Sequence, residues 1–128
     1  MSVANITTLI FDEQVRLDSD RLAELYVQLG EIGAQGVVCR AMEELTTRLV
    51  KINESYQSNK ARELRKGAKG LIGIAEQIGM QRLAKVARDV CNCVDQNDPL
   101  ALGATLARLQ RIGDGSLTAV WDLQNLSG

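Results

Sequence analysis

The sequence predicts an all-α protein, an up-down antiparallel bundle of four helices preceded by a short N-terminal helix. Three observations lead there. Aromatic residues make up 3 % of 128 positions and proline occurs once, so strand formers and helix breakers are both scarce. Apolar residues recur in alternating steps of three and four, the period of one helix face. The polar stretches between these periodic segments are short, which makes successive helices antiparallel neighbours. A hydrophobic share of 45 % with 24 % charged residues is a globular balance and argues against disorder. The length suits one domain whose core needs no metal or disulfide staple.

Residues 1–17 read as a lead-in segment that docks by Phe11, and residues 18–128 as the bundle. Asp18-Ser19-Asp20 is an N-cap cluster, followed at helical spacing by Leu22, Leu25, Tyr26 and Leu29; Gly30 and Gly33 close this short helix. A long helix is expected from Gln35 to Tyr56, with Val38, Met42, Leu45, Leu49, Ile52 and Tyr56 turned inward. Arg40, Glu43, Glu44, Arg48 and Lys51 fall mostly off that stripe. Ser55 to Asn59 forms a turn, with Ser58 or Asn59 as the next cap.

The following helix turns Ala61, Leu64, Ala68, Leu71, Ala75 and Ile78 to the core. Its small residues let another helix approach closely. The opposite face carries Arg62, Arg65, Lys66, Lys69, Ile72, Gly73 and Glu76. Gly67, Gly70 and Gly73 each cost about 1 kcal/mol relative to alanine, a cost that close packing or partner access would explain. Gly79 breaks or kinks the chain, and Leu83, Val86, Ala87, Val90 and Val94 line the next helix up to Gln96-Asn97. Asp98-Pro99 is a helix start, with Leu102, Leu106, Leu109 and Ile112 behind it. Gly113-Asp114-Gly115 is either a loop or a weak point in one long helix that continues through Leu117, Val120, Trp121 and Leu123.

Charge and residue counts narrow the function. The formal net charge is −1, so no global field attracts nucleic acid or an anionic membrane. The charge is nevertheless segregated: residues 60–90 hold eight basic and three acidic side chains, while the flanking segments are net acidic. An acidic partner would be drawn to the middle segment. No aromatic residue interleaves the basic ones, which argues further against nucleic acid. Cys39, Cys91 and Cys93 read as reduced, partly buried thiols in a cytoplasm rather than as a disulfide or metal set. No signal peptide is expected, because no basic region followed by an apolar run opens the chain, and no stretch approaches the ~20 apolar residues of a bilayer span. There is no histidine, which removes imidazole chemistry of every kind. A serine or cysteine nucleophile therefore lacks its usual base, and adjacent Glu43 and Glu44 point in different directions. No enzyme, cofactor or metal is expected.

One motif stands out. Ala68-Lys69-Gly70-Leu71-Ile72-Gly73, followed by Ala75, Ile78-Gly79 and Leu83, resembles the signature of histidine-phosphotransfer (HPt) domains. In that family an alanine precedes the phosphorylated histidine and a leucine follows two places after it. A lysine-glycine pair, a small residue, an apolar-glycine pair and a leucine come next. Aligned on Gly73 and Gly79, the alanine falls on Ala68, the first leucine on Leu71 and the last on Leu83. The histidine is then replaced by Lys69 and the family's lysine by Ile72. A competing register places the lysine-glycine pair on Lys66-Gly67 and Glu63 at the histidine position. The resemblance spans residues 20–123 by helix order, but its specific part is Ala68 to Leu83.

The resemblance implies a four-helix bundle of HPt type, bacterial two-component signalling, and a surface that docks a response-regulator receiver or a histidine kinase. Phosphoryl relay through histidine is excluded. The expected docking residues are Arg62, Arg65, Lys66, Lys69, Ile72 and Gly73 with Glu76 at the edge, and Lys69 offers its ammonium to a receiver's acidic pocket. The bland explanation of the same cations is an ordinary solvated helix face. The alternative from a different class is a structural protein that homo-oligomerises, a homodimer being the simplest form, through Phe11, Tyr26, Ile72 and Trp121.

Overall fold

The computed structural model describes residues 19–127, with side chains from residue 20 to 118. Among the described residues four helices follow one another: α1 (Ser19–Gln57), α2 (Ala61–Gln77), α3 (Gln81–Asp95) and α4 (Pro99–Ser127). They form the all-α, up-down four-helix bundle that periodicity predicts. The lead-in segment with Phe11 lies outside the described residues.

The three connections are the same device built from different residues. Asn59, Gly79 and Asn97 adopt left-handed φ values of 56°, 78° and 52°. Each lies two residues past the end of a helix. The next amide reaches back to a carbonyl five residues earlier: Lys60 N–H to Ser55 O at 2.8 Å, Met80 to Ala75 at 2.8 Å, Asp98 to Cys93 at 3.1 Å. The amide of the left-handed residue donates to the carbonyl three before it, on Tyr56, Glu76 and Val94. This double closure is the Schellman pattern, and it satisfies carbonyls that a helix end leaves open. The residue after the left-handed one then starts the next helix, because Lys60, Met80 and Asp98 accept from the amides of Leu64, Ala84 and Leu102.

Only Asp98 also caps with its side chain, its Oδ1 accepting from the Ala101 amide at 3.1 Å. The cap expected at Ser58 or Asn59 is instead Lys60, without a side-chain hydrogen bond, because Asn59 is taken up by the reversal.

α1 is bent at Gly30, whose φ of 73° and ψ of 174° belong to a region open essentially to glycine. The break expected at Gly30 is present, but Gly33 does not end a helix. The second arm begins directly after the bend rather than at Gln35. A glycine with ordinary dihedrals weakens a helix without stopping it.

The core joins all four helices through Leu45, Leu49 and Ile52 of α1, Leu64 and Leu71 of α2, Leu83 and Val90 of α3, and Leu106 and Leu109 of α4. Ile78 and Met80, in the α2–α3 reversal, are also fully buried. Some positions differ from the expected stripes. Ala61 is exposed because it opens α2, Val94 and Leu102 are half-buried, and Ile74 is buried although it falls off the expected stripe. Tyr56, at the far end of the α1 stripe, is 40 % exposed. Cys39, expected to be partly buried, is exposed, whereas Cys91 is buried and Cys93 lies between.

α4 runs unbroken through Gly113-Asp114-Gly115. Gly113 lies against α1, where an added Cβ would stand 2.7 Å from Leu49 Cδ1. The glycine there removes a side chain for close packing and makes no turn. Gln110 Nε2 donates to Leu49 O at 3.2 Å across the same seam.

The shared reversal geometry gives a direct test by urea denaturation. Gly79→Ala is expected to lose about 1–2 kcal/mol, the cost of holding a Cβ in the left-handed region. Asn59→Gly and Asn97→Gly should hold or raise stability, and a loss at those two positions would refute the common geometry.

Candidate functional site

The candidate site is the face of α2 turned away from the core. Packing on both flanks of the helix decides which side chains remain available. Toward α1, an added Cβ on Gly67 would stand 2.9 Å from buried Ile52 Cγ1, and one on Gly70 would stand 3.0 Å from Arg48 Cζ. These two glycines let α1 approach closely and let the Arg48 guanidinium lie across α2. Gly73 differs: nothing comes within 4 Å of an added Cβ, and the residue is exposed. Its missing side chain leaves bare backbone on the outer face.

Toward α3, three of the expected site residues have partners. Arg65 grips Asp95 with both ends of its fork, Nε to Oδ1 at 2.7 Å and the second nitrogen to Oδ2 at 3.0 Å. This hydrogen bond, more than the charge attraction that accompanies it, raises the Arg65 pKa, and the same bond holds the Asp95 carboxyl below its ordinary value. Glu76 pairs with Arg88. Ile72 is half-buried and packs against the core. Beneath them, Cys91 donates its thiol to Arg65 O at 3.7 Å. Burial pushes the Cys91 thiol up, against the pull of the Arg65 and Lys69 charges.

Arg62, Lys66 and Lys69 remain, all exposed, with Gly73 one turn beyond Lys69. Among the described residues no carboxylate lies within 4 Å of these three cations. The seven residues read from the sequence therefore separate into an outward row of Arg62, Lys66, Lys69 and Gly73, and a flank of Arg65, Ile72 and Glu76 tied to α3.

Arg48 was missed from the sequence. It lies on α1 beside the inward stripe and joins the α2 face by crossing Gly70. The available signal was a glycine at 70 with no turn to explain it. Arg48, Lys51, Lys60, Glu63, Lys66 and Gly67 help to line a groove of about 520 Å³ between α1 and α2.

Such a face can attract and orient an anionic surface. No group of three or more metal-ligating side chains exists among the described residues. No helix among the described residues is long and apolar enough to cross a membrane.

The Arg65–Asp95 pair has a pH signature. The folded pKa of Asp95 is depressed, so its stabilisation is present above the ordinary carboxylate range near about pH 4 and fades as pH falls through the lowered value. Asp95→Asn should flatten that acid limb of a stability–pH curve while changing stability near neutral pH little, because the pair is half exposed. An unchanged acid limb would show that the pair contributes nothing.

Compared with known proteins, the chain matches no family model, no curated protein and no solved structure.

Proposed function

We propose that this chain is a histidine-less, HPt-like protein-binding module of bacterial two-component signalling, one that docks a receiver or a histidine kinase in the cytoplasm without transferring a phosphoryl group. The observation that supports this reading most is the pair Lys66 and Lys69, exposed, without a carboxylate partner among the described residues, and bordered by the bare backbone of Gly73. A receiver's pocket gathers carboxylates, and an ammonium on a long flexible stem is suited to reach into it. The motif around Lys69 and the up-down bundle point the same way. The rigid flanks of α2 hold the row in place, and Arg48 adds a further cation from α1.

The test is calorimetric titration of the full chain against a panel of receiver domains and histidine kinases. Saturable binding is expected with at least one receiver or kinase. It should weaken as salt rises and fall about tenfold or more in Lys66→Glu/Lys69→Glu. Binding that ignores both substitutions would remove the proposed face.

A second reading, self-association, has its own support. Val27 and Ile32, on either side of the Gly30 bend, are 85 % and 88 % exposed, and Leu29 and Tyr26 are 49 % and 39 % exposed. Of the residues first expected in such a patch, Tyr26 is therefore exposed and Ile72 half-buried, while the side chains of Phe11 and Trp121 lie outside those described. Light scattering separates the readings. A dimer that survives high salt and dissociates in Val27→Asp/Ile32→Asp would establish self-association, and a monomer at all concentrations would dismiss it.

A further inference from the structure

A second cationic surface lies apart from the α2 row, where α3 begins and α4 passes beside it. A groove of about 840 Å³ there is lined by Arg82, Lys85 and Arg88 of α3, Arg108 of α4, and Glu76 of α2. Lys85, Arg88 and Arg108 are exposed and Arg82 is half-buried. Glu76 is the one lining carboxylate among the described residues, and it is engaged by Arg88. Among the described residues, Arg82, Lys85 and Arg108 have no carboxylate within 4 Å. Four positive charges from two helices thus share one groove with one negative charge among the described residues.

The lining decides the class of ligand. Ala84 is the only apolar side chain among the described residues of the groove, so the site does not suit an apolar molecule. Guanidinium forks match the oxygens of phosphoryl groups and bind them through paired hydrogen bonds. A phosphoryl group brings nearly two negative charges and three acceptor oxygens, where a carboxylate brings one charge and two. The lining cations come from two different helices, so linked phosphoryl groups can engage more of them at once than a single phosphate does. We propose that this groove binds a small ligand carrying two or more linked phosphoryl groups, such as a nucleoside di- or triphosphate or a free polyphosphate. Binding relieves the repulsion among the lining cations, so it stabilises the fold. The site lies apart from the outward row of Lys66 and Lys69 and shares only Glu76 with the edge of the expected docking face.

The test uses the full chain, with tripolyphosphate and adenosine triphosphate as probes, followed by calorimetry and by the thermal unfolding midpoint. Saturable binding of tripolyphosphate with a rise in the midpoint is expected, absent when chloride is added to the same ionic strength. Lys85→Ala/Arg108→Ala changes only exposed side chains and should weaken binding about tenfold or more. Arg82→Lys, which keeps the charge and loses the fork, should weaken it less. Lys66→Glu/Lys69→Glu should bind as the wild type does. Tighter binding of adenosine triphosphate than of tripolyphosphate identifies a nucleotide as the ligand, and equal binding identifies the phosphoryl chain alone. The proposal is overturned by non-saturable binding, by equal affinity in Lys85→Ala/Arg108→Ala, or by a short poly-glutamate peptide binding the groove as tightly as tripolyphosphate.

Discussion

The structure depends on the left-handed residue that ends each of the first three helices. Asn59, Gly79 and Asn97 turn the chain back within three residues, and each reversal satisfies the carbonyls of one helix while starting the next. Connections this short leave no freedom in which helix pairs with which. α2 must lie against α1, α3 against α2 and α4 against α3. The reversals also supply core: Met80 follows the left-handed Gly79 and is fully buried, as is Ala75, the residue whose carbonyl receives its amide. Backbone closure and apolar burial reinforce each other at that end of the bundle.

Held between two neighbours, α2 has one free face. Ala68, Leu71 and Ala75 fill its inner side, Gly67 and Gly70 take the approach of α1, and Arg65 and Glu76 are bound to α3. The helix accepts the conformational cost of its glycines because an alanine at 67 would press on Ile52 and one at 70 would displace Arg48. The outward row of Arg62, Lys66 and Lys69 is what remains after every other direction is occupied. The backbone that carries this row is fixed by its neighbours and loses little further freedom when it meets a partner, whereas the lysine side chains keep theirs until they bind.

The basic segment of residues 60–90 therefore does not form one uniform patch. Arg65 and Arg88 are compensated across the α2–α3 seam by Asp95 and Glu76. The uncompensated cations divide between the middle of α2 and the start of α3, the latter joined by Arg108 from a helix far away in sequence. Local charge counting finds the excess and its sign. It does not find that the excess has two centres, one on the outer face of α2 and the other in the groove where α3 begins.

From the sequence alone, the four-helix architecture, the inward stripes from Val38 to Ile52 and from Leu64 to Ile78, the break at Gly79 and the Asp98-Pro99 start were all legible. Each is a local property: a period, a missing Cβ, a capping carboxylate. Exposure of Lys69 followed from the same period. The tertiary structure decided what depends on neighbours distant in the chain. It showed that Gly113 is a packing glycine under Leu49, that Arg65 belongs to Asp95 thirty residues away, and that Arg48 completes the α2 face. Periodicity assigns a residue to a side of its own helix, but only the packing of one helix on another determines which side chains on that side meet a partner and which are left to face solvent.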